Sequence, residues 1–139
     1  MTLRSLALIP AVALVLSLAS CSKSGLVSAK GRLTHKGQPV PSTHVYFWPE
    51  EEGKRRSTGL TDDNGNFTLS YSRTEPGVLV GKHTVFVKYY VSMEEELHQI
   101  QPKASGELKA VLAKYGDPKS SPLHYEVTSN GQFIEIELP

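Results

Sequence analysis

Cysteine is almost missing from this chain: Cys21 is the only one in 139 residues. A single thiol forms no internal disulfide and supplies neither a redox pair nor a multi-cysteine zinc site. Net charge is missing too, with 15 Lys and Arg standing against 14 Asp and Glu. The first twenty residues hold Arg4 and no acidic residue, so the remainder balances at 14 against 14. Nucleic-acid binding by counterion release needs clustered cations. The one tight basic run, Lys54-Arg55-Arg56, lies close to Glu50-Glu51-Glu52, and nucleic acid is not an expected partner. His35, His44, His83, His98 and His124 are scattered singly, whereas zinc ligands usually come at close spacing. Neither a Gly-x-Ser-x-Gly elbow nor a phosphate loop occurs. With no convergent nucleophile and base, the expectation is a protein that is not an enzyme and needs no cofactor or metal. Long apolar runs are also lacking. The longest, residues 6–16, falls short of the roughly 20 residues a membrane-spanning helix requires.

That run follows Arg4 and ends in Leu18-Ala19-Ser20-Cys21, the layout of a targeting segment. The small residues ahead of Cys21 resemble a bacterial lipobox, which implies cleavage before Cys21 and a lipid on its sulfur. The expected organisation is a signal peptide over residues 1–20, a lipidated tether over 21–25, and one domain over 26–139, long enough to bury roughly two-thirds of its unfolded surface. Acyl chains contribute about 0.8 kcal/mol per buried CH₂, so several of them hold a protein on a bilayer without help from its fold. Ser22 rather than Asp after the cysteine favours the outer membrane, by analogy with lipoprotein sorting. The four tether residues after Cys21 reach at most about 14 Å, which keeps the domain close to the bilayer.

Within the domain, apolar residues recur with period two, the mark of half-buried strands. Val27, Ala29, Gly31 and Leu33 open the pattern, and Lys36-Gly37 turns it. Pro39 and Pro41 are expected to end pairing there, because proline lacks the ladder N–H. Residues 43–48 put Val45 and Phe47 on one face and Tyr46 and Trp48 on the other. The charged stretch 49–56 reads as a hairpin tip, and residues 57–61 as the next strand. The turn Asp62-Asp63-Asn64-Gly65 follows, in which short polar side chains bond nearby backbone and Gly65 accepts positive φ. A strand over 66–71 comes next. Residues 83–91 set Val85, Val87 and Tyr89 against Thr84, Phe86, Lys88 and Tyr90, dense enough in β-branched and aromatic residues for a central strand. From 92 to 122 the pattern stops, in a connection far longer than usual. Residues 93–100 and 107–114 each suit two helical turns, the second with Leu108, Val111 and Leu112 on one side. Strands over 123–127 and 133–138, joined by Asn130-Gly131, close the chain.

Seven short strands with this punctuation predict an all-β, Greek-key β-sandwich carrying a long, partly helical insertion before its last two strands. Val27-x-Ala29-x-Gly31-x-Leu33, Gly37-x-Pro39-Val40, Val45-x-Phe47, Thr61-Asp62-x-x-Gly65-x-Phe67-x-Leu69 and Gly81-x-x-Thr84-Val85-x-Val87 resemble the carboxypeptidase regulatory-like domain. That resemblance covers about residues 26–91 and implies a transthyretin-like (prealbumin-like) sandwich. The sequence departs from it at His83, where the family favours Tyr. The later Lys114-Tyr115-Gly116-Asp117-Pro118 and Leu123-x-x-Glu126-Val127 resemble small bacterial lipoproteins built on that domain. One enzyme family with the transthyretin-like fold, the hydroxyisourate hydrolases, ends in Tyr-Arg-Gly-Ser. This chain ends Ile136-Glu137-Leu138-Pro139, so none of those residues carries over.

Two functional expectations follow. The first is a non-enzymatic, membrane-anchored extracytoplasmic module that contacts a protein partner or has a structural role in the envelope. The second is a carbohydrate-binding module that uses Trp48, Tyr89 and Tyr90, with the outward aromatics of residues 43–48 either forming a ligand platform or covering a sheet edge. Asp62, Asn64 and Gly65 are expected to serve the turn. Calcium is not expected there, because counting from Asp62 the twelfth position is Arg73 rather than Glu. With strand one starting at the membrane, the loops 35–41, 62–65 and 92–122 are expected at the far pole and 49–56 and 72–82 at the near one. The insertion is then either a binding loop or a cover that buries Leu108, Val111 and Leu112.

Overall fold

The computed structural model describes residues 25–92 and 106–139. Its strands are β1 (Leu26–Val27), β2 (Ala29–His35), β3 (Gln38–Pro39), β4 (Thr43–Pro49), β5 (Ser57–Leu60), β6 (Asn66–Thr68), β7 (Val78–Leu79) and β8 (Gly81–Tyr89). A helix, α1 (Gly106–Lys114), precedes β9 (Leu123–Val127) and β10 (Gln132–Leu138). The predicted helix over 93–100 lies outside the described residues.

One four-stranded sheet runs β5-β4-β8-β9, all antiparallel. A second four-stranded sheet is built on β2, with β10 along one side and β6 and β3 sharing the other, and β1 pairs with β7 in a small antiparallel third sheet. The alternation read from the sequence decides what each sheet turns inward. Val45 and Phe47 of β4, Val85 and Val87 of β8, Leu33 of β2, and Ile134, Ile136 and Leu138 of β10 are buried in one continuous apolar cluster. The molecule is a mostly β, sandwich-like fold.

Four details depart from the sequence reading. The described residues form ten short strands rather than seven. The first strand breaks at Ser28, whose N–H bonds Asn130 Oδ1 (2.8 Å) and whose carbonyl accepts from Gly131 N (2.8 Å), so the β9–β10 turn takes the groups a ladder would have used. Pro39 does not end pairing: it stands opposite Thr34 in β3. The ladder bond there runs from Val40 N to Leu33 O (3.0 Å), and the missing proline N–H is not required. Finally, the sheets are not wholly antiparallel, because β10 pairs with β2 in parallel, from Gln132 opposite Ala29 to Leu138 opposite His35.

The turns sort to two poles. Leu33 N donates to Gly65 O (2.8 Å), Lys36 pairs with Glu107 of α1, and Tyr90 N donates to Ser42 O (2.7 Å), which gathers the 36–37 and 62–65 turns and α1 at one end. At the other end Val80 N donates to Gly25 O (3.3 Å) and Glu50 N to Lys82 O (2.9 Å), beside the 128–131 turn. Lys36-Gly37 is a tight hairpin with φ of +49° and +76°, the twist that suits a two-residue loop. In α1, Leu112 is buried in the core, with Leu108 and Val111 packed against it, and Tyr115 just beyond is buried as well. Tyr115 O accepts from Val87 N (3.0 Å), and the Ser121 hydroxyl donates to Val85 O. The described part of the insertion therefore continues the edge of β8 and seals the core.

Candidate functional site

The outer face of the β5-β4-β8-β9 sheet is unusual in being aromatic. Period two turns His44, Tyr46 and Trp48 of β4 outward, with Phe86 of β8 beside them. The register places Tyr46 directly opposite Phe86 and His44 opposite Lys88. Cross-strand neighbours stand close enough for their side chains to meet. The Tyr46 and Phe86 rings accordingly stack at 4.6 Å with planes 8° apart, and Trp48 lies 6.2 Å from Phe86. His44 stands 5.8 Å from Tyr46 and meets Tyr90 edge-on at 5.2 Å. The result is a continuous row, Tyr90, His44, Tyr46, Phe86, Trp48. Each such pair contributes about 0.5–1.5 kcal/mol beyond its burial. Two cations lie on the row. The Arg56 guanidinium is 5.1 Å from the Tyr46 ring and 5.9 Å from that of Trp48, and the Lys88 ammonium is 5.9 Å from Phe86. Phe86 is covered, while Trp48 and Tyr90 are 41% and 42% exposed. Burial lowers the pKa of His44 below its ordinary value, and its Nδ1 has no hydrogen-bond partner among the described residues. At neutral pH its ring is an uncharged member of the row.

Beside Trp48 opens a cleft of about 520 Å³ whose cationic walls are Lys54, Arg55, Arg56 and Arg73. Its floor is held by β5 and the chain after β6, since Thr58 N donates to Ser70 O and Ser70 N to Thr58 O, both at 2.9 Å. Tyr71 forms part of the far wall, with the Arg55 guanidinium 5.8 Å from its ring.

The structure separates the three aromatics named from the sequence. Trp48 and Tyr90 stand at the two ends of the row. Tyr89 belongs to the opposite face, packed against the core and lining a different hollow between β8 and α1. It is not part of this surface. Asp62, Asn64 and Gly65 form the turn: Asp62 Oδ1 accepts from Asn64 N and Asn66 N, both 2.9 Å, and Gly65 has φ of +77°. Cys21 lies outside the described residues. Among the described residues, no three His, Cys, Asp or Glu side chains come together as metal ligands would, and no helix is long and apolar enough to cross a membrane. Sequence reasoning missed Tyr46, Phe86, His44 and the Arg cluster as one surface. It had the outward facing of Tyr46 and Phe86, but not the register that stacks them. It also missed His83, which is fully buried. Its Nδ1 is 2.9 Å from Gly81 O and Nε2 has no partner among the described residues. Burial pushes its pKa down, opposed by the Gly81 hydrogen bond and the charge of Glu50.

The chain matches no protein-family model and no curated protein. Among solved structures it is similar to a DUF3823 family protein from Parabacteroides merdae ATCC 43184, at a TM-score of 0.45 and 10% identity, over 81% of this chain and 45% of that one. The chain thus spans less than half the length of that protein.

Proposed function

We propose that this protein is a non-enzymatic, lipid-anchored extracytoplasmic module that binds carbohydrate on the outer face of its β5-β4-β8-β9 sheet. The aromatic row carries the reading. A solvated sheet face normally alternates to polar residues, yet five rings adjoin here and Trp48 and Tyr90 remain open to solvent at its ends. An aromatic face offers a negatively polarised surface, and the C–H face of a sugar ring is its complement. The lipobox-like run before Cys21 supports the anchor, and Gly25, four residues after it, lies at one pole. In this reading β1 with β2 and β7 with β8 count as single interrupted strands and β3 as a hairpin limb, which brings the count to seven and is compatible with the proposed Greek-key, transthyretin-like sandwich of a carboxypeptidase regulatory-like domain. The described part of the insertion serves as cover, because the apolar side of α1 packs against the core.

Trp48 is the sole tryptophan, so its fluorescence reports this surface alone. A glycan array followed by titration should give a saturable shift in emission, and Trp48→Ala should abolish binding while leaving the melting midpoint within a few degrees. Binding unchanged in Trp48→Ala, or no glycan bound, would refute the reading.

A further inference from the structure

We infer that the cleft beside Trp48 selects acidic carbohydrate, a sugar ring that carries a carboxylate or sulfate; this rests on the carbohydrate reading and specifies its ligand. The domain is electrically balanced, but the cleft is not. Lys54, Arg55, Arg56 and Arg73 converge on it, and among the described residues no Asp or Glu lines it. Among the described residues only Lys54 of these four pairs with a carboxylate, Glu51 at 3.9 Å, a weak exposed contact. The acidic neighbour Glu50, two residues ahead of Glu52 in the sequence, turns instead to His124, 3.0 Å away.

The three guanidiniums are therefore available to an incoming anion, and two of them are positioned by rings. Arg55 lies against Tyr71, and Arg56 against Tyr46 and Trp48. A ring attracts the guanidinium without consuming its N–H donors, and those donors match the two oxygens of a carboxylate or sulfate in a bidentate pair. Trp48 and Tyr71 both line the cleft and give a sugar ring apolar surfaces to lie against. The Thr58 and Ser70 hydroxyls in the floor, with no side-chain partner among the described residues, are suited to ring hydroxyls. A lipid headgroup offers the same charge, and Lys54 also borders the hollow that holds Gly25, on the side of the expected anchor. The concave shape and paired aromatic walls favour a ring over a flat charged surface.

The test compares matched ligands by tryptophan fluorescence and calorimetry. A galacturonate trisaccharide is set against its carboxyl-reduced form, and a heparin-derived oligosaccharide against its desulfated form. The acidic member of at least one pair should bind tenfold or more tightly, with affinity falling as salt rises. Arg55→Gln and Arg73→Gln, both on exposed loop residues, should each erase that preference by weakening the acidic form more than the neutral one, and preserve the melting midpoint. Equal binding of acidic and neutral forms would overturn the acid selectivity while the carbohydrate reading stands. Phosphatidylglycerol vesicles, inorganic sulfate or a single-stranded oligonucleotide binding as tightly as the acidic sugars would overturn it in favour of charge alone. Failure of every sugar to bind would remove both.

Discussion

Replacing Gly65 and Gly37 by alanine separates two costs that usually arrive together. The two residues have nearly the same backbone angle, φ of +77° and +76°, so an added methyl suffers the same left-handed strain at both, about 1–2 kcal/mol. Their surroundings differ. A Cβ on Gly37 meets nothing within 4 Å, whereas on Gly65 it falls 2.5 Å from the Leu33 carbonyl oxygen and 3.2 Å from Pro39 Cβ. That approach is inside any contact a real methyl tolerates, and relief requires the turn to back away from β2. The bond from Leu33 N to Gly65 O, 2.8 Å long, lies between the same two residues and is stretched by that movement. Losing it with its groups still buried costs about 1–3 kcal/mol. Gly65→Ala should therefore be less stable than Gly37→Ala by about 1–3 kcal/mol, and Gly65→Val worse again because a β-branched side chain is penalised further at positive φ. In a domain of this size each kcal/mol moves the midpoint by roughly 4 °C or more. Thermal and urea melts of the two alanine variants decide the matter. Equal midpoints would refute the close approach of turn and strand, and with it the docking of the 62–65 turn on β2.

Leu112→Ala should destabilise the protein by about 2–5 kcal/mol in urea melts, since it opens a cavity where α1 meets the core. Replacing residues 92–122 by a short Gly/Ser linker should lose the fold rather than spare it, and an unchanged melt would show that α1 is dispensable cover. Stability should decline in acid through His83. Its pKa is lowered by burial from an ordinary 6.5, so the unfolded chain binds the proton more readily. The contribution is whole above about pH 6.5 and is lost as pH falls through the folded value, with His44 acting in the same direction. His83→Phe should flatten the midpoint between pH 7 and pH 5, and an equal acid loss in that variant would assign it to other groups. Cys21→Ser should leave the protein out of the detergent phase with its leader uncut, because acyl transfer needs the thiol as nucleophile. A free thiol at Cys21 in mass spectra of the native protein would refute the anchor.

What was legible in the sequence was local. The alternation of β4 and β8 sorted their residues onto two faces, and that sorting holds for Val45, Phe47, Val85 and Val87, all buried. Turn chemistry located the 36–37 and 62–65 turns, because Gly and short polar side chains act over three or four residues. The helix over 107–114 announced its core side through Leu108, Val111 and Leu112. What was not legible depends on distant partners. The parallel pairing of β10 with β2 joins strands about a hundred residues apart, and no periodicity within either one reveals the direction of the other. The break at Ser28 is caused by Asn130 and Gly131, and the tolerance of Pro39 by the position of Val40 in the ladder.

The candidate site shows the same division, with a consequence for reading charge from sequence. Tyr46 and Trp48 were visible as outward residues of one strand, but the stack that makes them a surface needs Phe86, brought in by a register forty residues long in sequence. The cationic cleft was hidden more thoroughly. Lys54-Arg55-Arg56 beside Glu50-Glu51-Glu52 reads as a self-neutralised hairpin tip, and the domain as a whole balances to zero. Folding undoes that neutrality in two moves: Glu50 turns toward His124 on β9, and the backbone pairing of Thr58 with Ser70 draws Arg73 up to Arg55 and Arg56. Exposed charges more than a Debye length apart, about 8–10 Å, are largely screened from one another, so a balanced total does not describe any one cleft. The charges that line the cleft act on its contents at closer range than that, and here all four are positive.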